Sequence, residues 1–258
     1  MFNIEEFDLK LDSDYIGRNF VIIEELDSTN AFLLDKTKQF NENGTVVFAE
    51  SQTQGRGRKD RVWQSAPGLN LTFSILLNKK GNIPESLSLL NLGVSLAVAN
   101  SLENLYNVKT HLKWPNDVLI NDKKIVGILS ESVSQGSKIE RVVIGIGINA
   151  NQTYFPDDFG IPPTSLKIET DQTIDRERLL AETLINIEDI IKRINESPAT
   201  VVQDWRSKCK MIGDNIMITD GENTKSGIFD DIDEEGFLLL KSRSGRIEKI
   251  HYGDASVR

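Results

Sequence analysis

Two long stretches of the chain repeat apolar residues every three or four positions. Within residues 84–105 these are Leu87, Leu90, Val94, Ala97, Val98, Leu102 and Leu105. Within residues 176–194 they are Leu180, Leu184, Ile187, Ile191 and Ile194. That spacing predicts two long helices, each burying one face. Elsewhere the apolar runs are short and rich in β-branched or aromatic residues, at 20–24, 45–49, 69–77, 110–114, 118–120, 125–131 and 141–148. These predict strands. Asp27, Ser28, Thr29 and Asn30 offer helix caps before a short helical run at 31–34. Residues 51–67 are polar and contain glycines, so they predict a mobile loop. Several strands follow one another with no helix between them. The expected fold class is therefore α+β, a mixed β-sheet with packed helices, and not a regular βαβ alternation.

The tail has a different texture. From about Gly213 the strands are shorter, at 216–218, 226–229, 237–241 and 247–251. Asp220-Gly221, Glu235-Gly236 and Ser244-Gly245 separate them. Small all-β barrels have this pattern. A domain boundary is expected between residues 208 and 213, dividing the chain into 1–210 and 211–258.

Composition narrows the function classes. The 258 residues are 39% hydrophobic and 27% charged, enough to bury a core, and the formal net charge is -9. Such a chain is repelled by nucleic acid and by anionic membranes, so any anionic ligand must meet a local cluster of positive charge. Cys209 is the one cysteine, which fits a reducing cytoplasm and excludes a thiolate zinc site. His111 and His251 are the only histidines, which disfavours Ser-His and Cys-His hydrolases. No window approaches the ~18 apolar residues of a membrane span. The first eight residues lack the basic start and apolar run of a secretory signal.

Four short motifs stand out. Gln54-Gly55-Arg56-Gly57-Arg58-Lys59-Asp60-Arg61 concentrates positive charge between glycines. Glycines let backbone N–H groups approach an anion, and arginines add paired contacts to phosphate or carboxylate oxygens. It lacks the Gly-Lys-Ser/Thr ending of a Walker A loop. By charge pattern alone, a solvated basic loop or a nucleic-acid patch is the plainer reading. Lys113-Trp114-Pro115-Asn116-Asp117 places a lysine at a strand end before a turn, where ligands tend to bind, though by pattern alone a hairpin with a surface lysine is the plainer reading. Asp27-Ser28-Thr29-Asn30 is either a polar ligand site or an ordinary N-cap. Gly145-Ile146-Gly147-Ile148-Asn149 matches half of a dinucleotide fingerprint without its third glycine or its helix. Those glycines are expected to let another backbone or a nucleotide pass close to a strand.

Taken in order, these motifs resemble one family. Ser28-Thr29-Asn30, Gln52 with Gly55-Arg56-Gly57-Arg58, Arg61-Val62-Trp63, Lys113-Trp114-Pro115-Asn116-Asp117, Lys124-Ile125-Val126-Gly127-Ile128-Leu129 and Gly145-Ile146-Gly147-Ile148-Asn149 occur as in biotin protein ligases. The closing Gly253-Asp254-Ala255-Ser256-Val257-Arg258 resembles that family's C-terminal signature. The likeness runs from about residue 20 to the end.

The resemblance implies a catalytic fold related to class II aminoacyl-tRNA synthetases, followed by an SH3-like barrel. It implies a ligase with two substrates, biotin and ATP, the second brought as its Mg²⁺ complex. Biotinyl-5′-adenylate forms first, and the biotinyl group then passes to a lysine of a biotin carboxyl carrier domain, such as that of acetyl-CoA carboxylase. Neither step needs a Cys, Ser or His nucleophile, so positioning and charge stabilisation carry the chemistry. By family position Lys113 is the catalytic cation, with Arg58 beside it. Ser28, Thr29, Asn30, Gln52, Arg56, Gly57, Arg58, Lys113, Gly127, Ile128 and Leu129 are expected around biotin. Arg56, Arg58, Arg61, Trp63, Lys113, Asn116 and Asn149 are expected around ATP, with adenine on the face of Trp63. No protein metal site is expected, since Mg²⁺ is often held mainly by phosphates and water. The residues before Ser28 are acidic and do not suit a helix-turn-helix, so a monofunctional ligase that binds no DNA is expected. A homodimer paired through the catalytic sheet is a further expectation. The rival readings are a lipoate or octanoate transferase of the same superfamily and a non-catalytic biotin-responsive regulator.

Overall fold

The computed structural model describes residues 2–35, 37–38, 40–59, 61–79, 83–136, 138–156 and 160–257. Asp60 of the basic motif and Arg258 of the closing signature lie outside the described residues. Seven strands build the larger sheet: β1 (Phe20–Leu26), β2 (Val46–Gln52), β3 (Leu71–Asn78), β4 (His111–Lys113), β5 (Asp117–Ile120), β6 (Lys123–Gln135) and β7 (Lys138–Ile148). Their spatial order is β1-β2-β3-β7-β6-β5-β4. β1 and β2 are parallel and the remaining pairs antiparallel, so the sheet is mixed as expected.

Helices cover both faces, which explains why β2 and β3 carry buried apolar residues on both sides. α3 (Leu87–Tyr106), α5 (Arg176–Glu196) and α6 (Pro198–Lys208) lie over one face, and α2 (Thr29–Leu34) packs on the other against β2, β3 and β7. Alternation along the strands sorts the side chains. Val46, Phe48, Ile146 and Ile148 enter the large core beneath α3 and α5. Val47, Leu76 and Val143 meet Leu33 of α2 in a second, small core.

Several boundaries differ from the sequence reading, each for a local reason. α3 begins at Leu87 because Ser86 is its N-cap, accepting the Leu89 N–H. α2 begins at Thr29 because Ser28 caps it. β6 and β7 run on through polar residues to the pair Gln135 and Lys138, held by ladder hydrogen bonds without burial. Three helices escaped the pattern. α1 (Ile4–Lys10), capped by Asn3, inserts Phe7 beside Phe2, Phe20 and Phe48. It is too short and acidic to show a period. α4 (Leu166–Thr170) is a single capped turn, and α6 starts at a proline.

The tail forms a five-stranded antiparallel sheet from β8 (Asn215–Asp220), β9 (Asn223–Ile232), β10 (Leu238–Lys241), β11 (Ile247–Ile250) and β12 (Asp254–Val257). The order is β11-β10-β9-β8-β12. Gly221 and Gly236 take φ of 58° and 84° in the turns that the sequence marked. This unit is fastened to the larger one. Arg206 of α6 pairs with Asp231 at 2.6 Å, and the Trp114 indole donates to the Gly236 carbonyl at 3.2 Å. β12 brings Asp254 to the mouth of the site described next.

Candidate active site

A cavity of about 680 Å³ opens on the α2 face of the large sheet, between α2, residues 52–64, the turn joining β4 and β5, and β12. Two cross-strand rows make its floor. Ser74, Gly145 and Leu129 form one, and Thr72, Gly147 and Gly127 the other. Every site residue that the sequence singled out borders this cavity. Ile128 does so at its edge, because strand alternation turns its side chain into the large core.

Above the first row sits the start of α2. Thr29 and Asn30 are buried. Thr29 donates its N–H to Gln52 Oε1 at 2.7 Å, which leaves the Gln52 Nε2 group free to donate elsewhere. Ser74 Oγ lies 2.6 Å from both Thr29 Oγ1 and Asn30 Oδ1. Asn30 Nδ2 donates to the Leu129 carbonyl and to Glu131. A Cβ at position 145 would come within 2.2 Å of Asn30 Oδ1, so this strand position has room only for glycine.

Above the second row lies the indole of Trp63. A Cβ at position 147 would approach Trp63 Cε2 to 2.1 Å, and one at position 127 would approach Cζ3 to 2.8 Å. The two glycines are thus the seat of an aromatic side chain. The sequence reading expected a backbone or a nucleotide to pass close to Gly145 and Gly147; side chains lie there instead, Asn30 and Trp63. Trp63 Nε1 is buried with no hydrogen-bond partner, and so is Asn149 Oδ1, whose amide donates from Nδ2 to the Thr164 carbonyl.

The stretch expected to be mobile is folded back on itself here. Gly57 donates to the Arg61 carbonyl at 2.6 Å, Trp63 donates to the Gly55 carbonyl at 3.0 Å, and Arg56 bridges Val62. Its cations fan outward onto acidic and carbonyl groups. Arg56 meets Glu131 at 3.1 Å. Arg58 donates to Asn116 Oδ1, Asp254 Oδ1 and the Gly253 carbonyl. Arg61 reaches Asp254 at 2.6 Å and Lys59 reaches Asp220 at 3.3 Å. Asn116 in turn donates to the Ile128 carbonyl, which fixes the turn against β6.

Lys113 ends β4, the edge strand, as the sequence suggested. Burial pushes its ammonium below the ordinary lysine range, and the nearby Asp117 and Asp254 carboxylates oppose that push. Yet Asp117 pairs with Lys124 at 2.6 Å, and Asp254 is engaged by Arg58 and Arg61. Among the described residues no carboxylate lies within 4.0 Å of the Lys113 ammonium. Burial likewise lowers the Arg58 guanidinium, partly offset by Asp254 and Asp117.

Sequence reasoning missed four contributors. Lys124 and Asp254 stood inside quoted motifs but had no assigned role. Glu131 lay at the polar end of an apolar strand. Ser74 gave the faint signal of a hydroxyl inside an otherwise apolar run. Together with the expected residues they make a polar slot, an aromatic shelf and a set of cations around one cavity. That arrangement suits a ligand with an uncharged polar head, a planar base and an anionic centre between them. Among the described residues no group of three or more His, Cys, Asp or Glu could hold a metal ion, and no helix is long and apolar enough to cross a membrane.

Comparison with known proteins agrees with this class of site. The biotin/lipoate A/B protein ligase family matches residues 22–149, and the biotin protein ligase C-terminal domain matches residues 211–258. The chain is 34% identical over 248 residues to the bifunctional ligase/repressor of Bacillus subtilis, covering 95% of this chain and 75% of that protein. It is 32% identical over 242 residues to the biotin–[acetyl-CoA-carboxylase] ligase of Mycobacterium tuberculosis, covering 92% and 88%. The structure of biotin protein ligase from Aquifex aeolicus in complex with biotin and ATP aligns with a TM-score of 0.81 at 33% identity, covering 93% of this chain and 99% of that one. Within the wider biotin/lipoate class, the chain belongs to the biotin protein ligase family.

Proposed function

We propose that residues 1–210 form the catalytic domain and that residues 211–258 complete its site, in a ligase acting in two steps. In the first, a carboxylate oxygen of biotin attacks the α-phosphorus of MgATP, and pyrophosphate leaves. In the second, the ε-amine of a lysine on a biotin carboxyl carrier domain, of acetyl-CoA carboxylase or another biotin-dependent carboxylase, attacks the acyl carbon. AMP leaves and the amine gives up its proton. The observation that carries this reading is Lys113: a partly buried ammonium in the cavity, beside Arg58, with no ion-pair partner within 4.0 Å among the described residues. It faces the place where negative charge builds as the phosphorus accepts a fifth oxygen.

The remaining geometry supports the same assignment. The slot at Ser28, Thr29, Asn30, Gln52 and Ser74 supplies fixed donors and acceptors for the biotin ring head, and Gly127 and Leu129 flank it. Trp63, pinned on its glycines, offers adenine one face, and the unpartnered Asn149 Oδ1 can accept from the base. Arg58 and Arg61 would exchange Asp254 for phosphate oxygens. Mg²⁺ enters as part of MgATP, held mainly by phosphates and water. The match of residues 211–258 to the biotin ligase C-terminal domain favours biotin over lipoate, and the Lys113 environment favours an enzyme over a passive regulator. The net charge of -9 argues against nucleic acid as a partner. The reading places the protein in the cytoplasm, with two copies able to pair through the catalytic sheet. Thermal melts test the ligand class: biotin raises the midpoint and lipoate does not, and stabilisation by lipoate alone would reverse the assignment.

A further inference from the structure

We propose that Glu131 is a positioning residue that docks the 55–61 segment onto the ring end of the biotin slot. This rests on the functional reading above and goes beyond it, because Glu131 acts through Arg56 and Asn30. Its carboxylate divides its two oxygens between two elements. Oε1 meets Arg56 Nη1 at 3.1 Å, and Oε2 accepts from Asn30 Nδ2 at 2.8 Å. The first partner belongs to the 52–64 stretch that borders the cavity and the second to the start of α2, above its floor.

The Asn30 side is built rigidly. Its Nδ2 lies between two acceptors, Glu131 and the Leu129 carbonyl, so its Oδ1 must face the Ser74 hydroxyl at 2.6 Å. Ser74 is wholly buried, and Gly145 opposite it makes room for that amide oxygen, which a Cβ there would approach to 2.2 Å. The Glu131 carboxylate is therefore aimed before Arg56 arrives. An exposed ion pair ordinarily contributes little, because two flexible side chains must be ordered to make it. Here one partner is already ordered by a buried hydrogen-bond chain, so that cost falls mainly on Arg56. The consequence is a segment tied at Arg56 near the biotin head, while Arg58 and Arg61 keep separate ties to Asn116, Gly253 and Asp254. Glu131 should affect the capture and retention of biotin and leave the charge stabilisation at phosphorus alone.

Glu131→Gln separates these roles. Its amide oxygen can still accept from Asn30, while the charge that holds Arg56 is gone. Steady-state pyrophosphate release should show KM for biotin raised by roughly 5- to 10-fold, the size expected for one well-ordered ion pair. kcat and KM for ATP should stay within about twofold. Glu131→Asp, which keeps the charge, should recover part of the biotin affinity. Arg56→Ala combined with Glu131→Gln should be no worse than Arg56→Ala alone, because the two residues act as one contact. Without ligand, trypsin should cut after Arg56 several-fold faster in Glu131→Gln than in wild type, at an unchanged melting midpoint. An unchanged biotin KM with unchanged cleavage would overturn the proposal. So would additive effects in the double variant, or parallel losses in kcat and stability, which mark a merely structural residue. A wild-type protein that releases no pyrophosphate with biotin and ATP would instead overturn the functional reading, and this proposal with it.

Discussion

Replacing Gly147 with alanine should cripple ATP use through a contact made with Trp63. The added Cβ would stand 2.1 Å from Trp63 Cε2, 2.4 Å from Nε1 and 2.5 Å from Cζ2. Ordinary contacts begin near 3.4 Å, so the indole must move by about 1 Å or more. Misplacing a positioning group by ~1 Å can cost ~100-fold in rate. Removing an aromatic platform altogether costs roughly 1–3 kcal/mol per stacked base. The two figures agree, so kcat/KM for ATP should fall by about 100-fold in Gly147→Ala. Gly127→Ala meets only the ring edge, at 2.8 Å, and should lose about 10-fold. Gly145→Ala meets Asn30 instead, so its damage should fall on biotin, with ATP affinity kept. The assay is pyrophosphate release with each substrate varied in turn. The deciding comparison uses a Trp63→Ala background, where Gly147→Ala should do no further harm. Equal damage in both backgrounds, or an ATP KM within twofold of wild type, would refute the shelf.

Four further outcomes follow from the same structure. Lys113→Ala should slow adenylate formation by ~100-fold or more, the usual effect of losing a cation at developing charge. Burial lowers the Lys113 pKa, so its charge is present below that lowered value and lost as pH rises through it. Wild-type activity should therefore fall on the alkaline side before an ordinary lysine would titrate, and a pH–rate profile of Lys113→Arg should lack that limb. Arg58→Gly should still make adenylate but release it, which biotin labelling of serum albumin without carrier would show as faster than wild type. Burial would raise the Glu50 carboxyl, but the Arg176 guanidinium at 2.6 Å and the Phe2 N–H outweigh it and hold the pKa below the usual range. That contribution is complete above the ordinary carboxylate range and is lost as pH falls through the lowered value. Arg176→Met should cost about 3–5 kcal/mol at neutral pH by stranding a buried charge, measured by denaturant unfolding.

The parts of this molecule legible in the sequence are those with a strong local signature. α3 and α5 announce themselves because twenty residues allow several turns of the 3.6 period to repeat. The Gly-Arg-Gly-Arg and Lys-Trp-Pro-Asn-Asp motifs are dense in unusual residues, and they fall in one cavity. α1 was illegible because one or two turns hold too few apolar positions to display a period, and its stability comes from four phenylalanines brought together by the fold. The roles of Lys124, Glu131 and Asp254 depend on partners 7, 75 and 196 residues away in the chain. No local pattern encodes such pairings. Gly145 and Gly147 were visible as small residues, but only the cross-strand register shows that one makes room for Asn30 and the other for Trp63.

Transfer of labelled biotin to a purified biotin carboxyl carrier domain decides whether this protein is such a ligase. With MgATP present, one biotinyl group should appear on a single carrier lysine, in a reaction that needs both biotin and ATP and largely disappears in Lys113→Ala. Transfer of lipoate in place of biotin, or full activity without Lys113, would contradict it.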